Sequence, residues 1–192
     1  MSGSERQLDV WLGDRLAGRL TVDDGGLRFD YDADYRDASD ATPLSMSLPL
    51  TRDQHASAAV IGFFEALLPE HGPARERLEL ESGVSRSNVF GLLAYVGRDL
   101  PGAVCIVPEG DGPLADGGVK SLTDLEVAER LADLRRAAAS GGIPLSEHGQ
   151  WSLAGAQAKL ALTYADGQWG APFGSVPTTH IVKPAIPGYE QF

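Results

Sequence analysis

Cysteine and lysine are scarce in this chain, and each scarcity excludes a class of site. Cys105 is the only cysteine, so an internal disulfide and a cysteine-based zinc site are excluded. The 16 basic residues include just three lysines and are outnumbered by 27 acidic residues, which gives a net charge of -11. Since phosphate contacts need basic clusters, we do not expect non-specific binding of nucleic acid. An acidic chain is an equally poor ligand for an anionic membrane surface.

Long apolar runs and familiar catalytic motifs are missing as well. No stretch approaches the ~20 apolar residues of a membrane helix, and the first residues lack the pattern of a secretory signal. We therefore expect a cytoplasmic protein with no membrane partner. The four histidines are scattered without metal spacing, and no phosphate-loop or nucleophile-elbow motif is present. No metal site is predicted.

The first half of the chain predicts a small sheet followed by helices. Alternating apolar residues indicate strands over residues 8–12, 16–22 and 27–31, with turns between them. An extended segment is expected from Pro43 to Leu50. Apolar stripes of helical period then predict helices near residues 60–67 and 89–96, and a polar, helix-favouring stretch predicts another between them, over residues 73–81. We expect Ser85 to cap the third helix and Gly97 to end it.

The second half predicts a linker, a helix and a further group of strands. Residues 109–120, rich in glycine and aspartate, are expected to form a loop or linker that includes Lys120. Thr123 and Glu126 form a capping box for a helix that reaches about Ala139. A strand before the hairpin turn Asp166-Gly167, and another over residues 178–183, complete the pattern. Strands and helices kept apart in this way indicate an α+β fold.

A run of small residues next to a lysine is the strongest candidate for chemistry. Small side chains in residues 152–158 would let backbone N–H groups approach an anion, and Lys159 adds a positive charge. Lys183 ends a later apolar strand. A small-residue turn and a strand-end lysine are how a kinase grips nucleotide phosphates. The pattern has an ordinary alternative, in which Lys183 is a solvated strand end and Ser152 a hydroxyl at a strand start. His180 is interpreted as a packed strand residue.

Several stretches, in the same order along the chain, are similar to one family. Ser152-Leu-Ala-Gly-Ala-Gln-Ala-Lys159 resembles the nucleotide loop of HipA-type serine/threonine kinases, the toxins of HipA–HipB toxin–antitoxin modules. Further stretches resemble that family too: Pro43–Pro49 with Phe63–Pro69, Phe90–Asp99 with Gly102–Val104, and Trp169–Lys183. The resemblance implies a small N-terminal sheet-plus-helices subdomain over residues 1–108. A linker and helix (109–150) and the start of a kinase-like N-lobe sheet (151–192) would follow.

The resemblance also implies roles for individual residues. Ser152 would be autophosphorylated, and Lys183 would contact the ATP phosphates. The loop over those phosphates would consist of Ala154, Gly155, Ala156, Gln157, Ala158 and Lys159. The family often has a glutamate where this chain has Ala158, so no carboxylate role is carried over to that position.

A kinase also needs a catalytic acid and magnesium ligands, which this chain does not show. No His-Arg-Asp or Asp-Phe-Gly equivalent is present. We therefore expect an N-terminal portion that lacks the C-terminal catalytic lobe and is inactive alone. The implied parent enzyme would use ATP and Mg2+ to phosphorylate a translation factor such as an aminoacyl-tRNA synthetase. A HipB-like antitoxin would neutralise it and provide its only link to DNA. The alternative is a non-catalytic module that docks a separate kinase lobe or that antitoxin.

Overall fold

The computed structural model describes residues 6–70, 72–98, 100, 103–113, 117–139, 159–173, 176 and 178–185. The chain divides into two units, residues 1–113 and 114–192. Unit 1 contains β1 (Arg6–Leu12), β2 (Arg15–Asp23), β3 (Gly26–Tyr31), α1 (Ala33–Asp37), α2 (Ser57–Ala66), α3 (Pro73–Ser82), α4 (Val89–Val96) and β4 (Val104–Pro108). Unit 2 contains β5 (Gly118–Leu122), α5 (Asp124–Ala139), β6 (Leu160–Ala165), β7 (Gln168–Phe173) and β8 (His180–Val182).

Unit 1 is built on a four-stranded antiparallel sheet in the order β3-β2-β1-β4. The predicted alternation is confirmed, because Leu8, Val10 and Leu20 point into the core and are at most 3% exposed. Phe29 of β3 packs on Phe64 of α2, with ring centroids 5.5 Å apart. This face of the sheet therefore carries the helices, and its residues form the core of unit 1.

The N-terminus of α4 differs from the prediction. Asn88, not Ser85, caps this helix, since its Oδ1 accepts a hydrogen bond from the Gly91 N–H at 3.0 Å. Ser85 lies in the preceding turn, where its hydroxyl pairs with that of Ser87. The predicted end at Gly97 is confirmed. A Cβ at Gly97 would lie 2.2 Å from the Ile106 carbonyl oxygen, so only glycine allows β4 to approach this closely.

Residues 43–49 form a tight loop and not the extended segment that was expected. Ser45 and Leu48 make an isolated antiparallel bridge across it. The Tyr31 hydroxyl links the two sides of the loop, because it donates to the Leu48 carbonyl at 2.6 Å and accepts from the Leu44 N–H at 2.8 Å. Burial raises the pKa of Tyr31, so the hydroxyl keeps its proton and remains a donor.

Unit 2 is a second antiparallel sheet, in the order β5-β7-β6-β8, with α5 packed on one face. The hairpin turn is confirmed: Asp166 and Gly167 have φ of 51° and 79°, as a two-residue hairpin loop requires. Within the expected linker 109–120, a strand begins at Gly118. This strand pairs with β7, about 50 residues further along the chain, so local sequence could not reveal it.

Helices and antiparallel strands are segregated in both units, which confirms the α+β prediction. Among the described residues, no helix is both long enough and apolar enough to cross a membrane.

Arg75 of α3 is a fully buried cation that joins separate segments of unit 1. Its guanidinium is 1% exposed; Nε donates to the Arg86 carbonyl at 3.0 Å and Nη1 to the Pro69 carbonyl at 3.4 Å. Nη2 lies 3.8 Å from the Glu65 carboxylate. Buried carbonyl oxygens need a hydrogen-bond donor. Arg75 donates to one carbonyl before α3 and to one after it, and in this way it holds the segments on either side of the helix.

We predict that Arg75→Ala lowers the free energy of unfolding by about 3 kcal/mol, because it removes buried hydrogen bonds and leaves their acceptors unpaired. Arg77→Ala, in the same helix, is the matched control. Arg77 makes an exposed pair with Glu81, which is worth at most about 0.5 kcal/mol. Urea denaturation of both variants is the measurement, and equal losses would show that Arg75 has no special role.

The capping box of α5 predicts a pH dependence. The Glu126 carboxylate accepts hydrogen bonds from the Thr123 N–H at 2.7 Å and from its hydroxyl at 2.9 Å, and these bonds lower the pKa of Glu126. Its contribution to stability is therefore complete above the ordinary glutamate pKa of about 4.3 and is lost as pH falls through the lowered value.

We expect Glu126→Gln to be less stable than the parent chain at pH 7, and the difference to shrink on acidification below about pH 4. Thermal unfolding across this range measures it, with Glu129→Gln in the same helix as the control for lost charge. A difference in stability between this variant and the parent chain that stays constant with pH would contradict the capping role of the Glu126 carboxylate.

Candidate functional site

Two of the predicted site residues lie in the described part of the chain, Lys159 and Lys183. Lys159 directly precedes β6 and is partly buried, and Lys183 directly follows β8 and is exposed. The predicted loop residues 154–158 and the predicted phosphorylation site, Ser152, lie outside the described residues. The candidate site is therefore built from the two lysines and the strands that carry them.

The pairing of β6 with β8 brings the two lysines together. Leu160 pairs with Val182, Ala161 with Ile181 and Leu162 with His180. Continuing this antiparallel register by one residue places Lys159 opposite Lys183. Side chains directly opposite each other in an antiparallel pair lie on the same face, about 5 Å apart at Cβ. Two of the chain's three lysines are thus placed opposite each other at one end of one strand pair.

The lysines lie on the face of the sheet that α5 does not cover. Leu160, Leu162 and Val182 pack in the cluster with α5. Because side chains alternate along a strand, Lys159 and Ala161 on β6, and Ile181 and Lys183 on β8, belong to the opposite face. We call this second face, which carries both lysines, the lysine face.

Small buried residues lie in the middle of this lysine face, and apolar residues border it. Ala161 and Gly170 are small and buried, whereas Ile181 is 55% and Val119 45% exposed. A Cβ at Gly170 would lie 2.1 Å from Val119 Cγ1, so the Val119 side chain leans across this glycine. Ile181 and Val119 thus provide exposed apolar side chains on the face that carries the lysines.

The charge distribution favours an anion at this end. Two ammonium groups at one end of a strand pair attract an anion more strongly than either one does alone. The chain has a net charge of -11, so two lysines opposite each other form a local positive charge in an otherwise acidic protein. Lysine supplies a compact point charge, which suits phosphate oxygens.

Lys120 lies elsewhere in the same sheet. It pairs with Ala171 of β7, a member of the cluster under α5, and therefore belongs to the α5 face. The structure thus separates Lys120 from the other two lysines. It places Lys120 in a strand and not in the expected loop.

His180 packs against aromatic rings at the opposite end of the strand pair. Its ring lies 5.4 Å from Trp169 and 5.9 Å from Tyr164, and Thr179 Oγ1 lies 2.7 Å from its Nδ1. The interpretation of His180 as a packed strand residue agrees with these contacts, although the residue remains exposed. It does not lie on the face that carries the lysines.

Ile181 and Val119 are exposed apolar residues near the lysines that the sequence did not identify. Which face of the sheet they share depends on where α5 packs, and local sequence does not show that. The described residues bring no group of three or more histidine, cysteine, aspartate or glutamate side chains into a metal-binding arrangement. The candidate site therefore consists of the two lysines and the exposed apolar residues on their face.

Comparisons with known proteins point to one family. The family described as HipA N-terminal domain matches residues 8–107, which is just over half of the chain. A protein of Sinorhizobium fredii named putative kinase Y4mE is 35% identical over 189 residues, covering 94% of this chain and 44% of the relative. The serine/threonine-protein kinase toxin HipA of Shewanella oneidensis is 31% identical over 180 residues, covering 92% of this chain and 39% of that protein.

A solved structure agrees with these sequence matches. The complex of the Shewanella oneidensis toxin–antitoxin proteins HipA and HipB with operator DNA contains a chain similar to this one, with a TM-score of 0.65 and 27% identity. The match covers 91% of this chain and 39% of that chain. This chain therefore spans less than half the length of these two kinases and of the solved HipA chain.

Proposed function

This chain belongs to the HipA family, and we propose that it is the N-terminal part of a HipA-type toxin, an ATP-dependent protein serine/threonine kinase. The observation that carries the proposal is the register of β6 and β8, which places Lys159 opposite Lys183 when it is continued by one residue. A kinase needs positive charge on the nucleotide phosphates and an apolar surface for the base. The lysine face of unit 2 has the charge, and Ile181 is an exposed apolar residue on it.

The residues of the lysine face would divide the contacts with the nucleotide. Lys183 and Lys159 would hold phosphate oxygens, acting as point charges. Ile181, which is exposed on the same face, would contact the adenine ring. Since the base contacts are apolar and the phosphate contacts ionic, the nucleotide can bind in one direction only along the strands.

The loop before β6 would complete the phosphate site. Residues 154–158 and Lys159 have the composition of a loop whose backbone N–H groups can reach an anion. Lys159 connects this loop to the strand, so the loop enters the sheet at the end where the lysines meet. The support for the loop itself is its sequence and its attachment to Lys159.

Ser152 would regulate the site through its own phosphorylation. A phosphoserine brings roughly -1.5 to -2 charges. Two residues from the start of a phosphate-binding loop, that charge would repel the ATP phosphates and compete for the lysines. Autophosphorylation would therefore silence the kinase.

Transfer of the phosphoryl group needs residues beyond this chain. The catalytic acid and the Mg2+ ligands would lie in the part of the relatives that this chain does not cover. ATP with Mg2+ would be the cofactor, and the fragment alone would be inactive. A HipB-like antitoxin would be the neutralising partner, because the similar HipA chain was solved in a complex with HipB. The protein substrate would be a translation factor such as an aminoacyl-tRNA synthetase, in the cytoplasm.

A second function is a non-catalytic module that docks a separate kinase lobe or the antitoxin. The observation that favours it is the extent of the family match, which covers residues 8–107 and so falls within unit 1. The lysine face lies in unit 2. If only unit 1 carries function, changes at Lys183 will have no effect on nucleotide binding.

We predict that Lys183→Ala in the longer kinase abolishes autophosphorylation and weakens ATP binding by at least about tenfold, as removal of a phosphate-contacting charge does. The matched control is Lys120→Ala, which removes the same charge from the same sheet on the other face. Radiolabelled phosphate transfer and calorimetry are the measurements. Wild-type activity in the Lys183 variant would remove this residue from the site and favour the docking module.

Ser152→Asp tests the proposed regulation. We expect weaker ATP binding because the introduced carboxylate faces the nucleotide phosphates. Ser152→Ala, which removes the hydroxyl without adding charge, is expected to bind ATP like the parent. If calorimetry gives the same affinity for both variants, electrostatic silencing at Ser152 is wrong.

A further inference from the structure

The turn that follows β4 is held by a residue from the start of the chain. Residues 108–111 form a β-turn, closed by a hydrogen bond from the Asp111 N–H to the Pro108 carbonyl at 3.0 Å. Gly110 has φ of +84°, a conformation that side chains other than glycine adopt with strain. Its N–H donates to the Asp9 carboxylate at 2.9 Å, across 101 residues of sequence.

Asp9 is buried on the face of the first sheet opposite the one to which Leu8 and Val10 belong. It is 4% exposed, and it pairs across the ladder with Arg19, whose Nε lies 3.4 Å from Oδ1. Leu8 and Val10, on either side of it, point into the core. Burying a carboxylate costs folding free energy unless an ion pair or hydrogen bonds compensate for the lost water. The contacts of Asp9 with Arg19 and with the Gly110 N–H provide this compensation together.

Arg98 holds the same segment from a second direction. It directly follows Gly97, the end of α4, and its Nη2 donates to the Asp111 carboxylate at 2.9 Å. Its Nη1 donates to the Gly112 carbonyl at 3.3 Å. Residues 110–112 are therefore bound by one side chain from β1 and one from the end of α4.

These contacts lie where unit 1 ends. The division between the units falls after Pro113, and the family match ends at residue 107. The glycine, aspartate and proline of residues 109–113 predict a loop or linker. The structure has a loop here, as expected, and the contacts of Asp9 and Arg98 hold residues 110–112 of it.

We propose that Asp9 and Arg98 form an exit clamp, defined as the contacts of these two side chains with residues 110–112. The clamp keeps the last residues of unit 1 in one conformation, so that the chain leaves this unit from an anchored point. It couples the first strand and the end of α4 to the segment that leads into unit 2. The proposal is independent of nucleotide binding.

Hydrogen exchange of the 192-residue chain tests the clamp. We expect the Gly110 amide to exchange at least about tenfold more slowly than in an unstructured peptide, because its N–H is bound to a buried carboxylate. Asp9→Ala and Arg98→Ala should each increase exchange over residues 109–112. Arg77→Ala, which removes an exposed ion pair in α3, should leave these amides unchanged.

Peptides from β2 and β3 serve as the internal reference for global unfolding. If Asp9→Ala unfolds the sheet, Arg98→Ala and Gly110→Ala still test the clamp, because neither residue belongs to a strand of that sheet. No atom lies within 4 Å of a Cβ built on Gly110, so that substitution acts through backbone strain alone. Exchange of Gly110 at the unstructured rate in the parent chain would overturn the proposal. Unchanged protection in both of those variants would do the same.

Discussion

The register between β6 and β8 is the constraint on which the functional account depends. Three pairs of apolar or aromatic residues fix it, and the lysines at the strand ends follow from it. A slip of one residue would turn Leu160 and Leu162 away from α5, at a cost of about 2 kcal/mol for each leucine moved out of the core. The packing of α5 therefore holds Lys159 opposite Lys183, although α5 touches the other face of the sheet.

In unit 1, polar side chains inside the fold hold the loops in place. Arg75 and Asp9 are buried and Tyr31 is partly buried, and each holds a segment that has no regular secondary structure. The core of apolar residues supplies most of the stability, but it is not directional. The hydrogen bonds of these three side chains select one conformation for the loops, because an unpaired buried donor or acceptor is costly.

The sequence was sufficient for local features and insufficient for long-range ones. Alternation in β1–β3, the hairpin at Asp166 and the capping box at Thr123 all depend on neighbouring residues, and the structure agrees with them. The β5 strand, the loop at residues 43–49 and the lysine face of unit 2 depend on partners elsewhere in the chain. Ser85 and Asn88 are both good capping residues, and only the backbone geometry selects Asn88. The resemblance of two separate stretches, residues 152–159 and 169–183, to a kinase identified Lys159 and Lys183, but their juxtaposition came from the strand register.

The central claim is that Lys159 and Lys183 together bind the phosphates of one nucleotide. A chain with three lysines allows a direct measurement, in which each ε-carbon next to the amine is labelled with 13C and assigned by single substitution. On titration with MgATP, the account predicts that the Lys159 and Lys183 signals shift together with one binding constant while the Lys120 signal stays in place. A shift of Lys120 equal to the other two, or a shift of only one lysine of the pair, would contradict it.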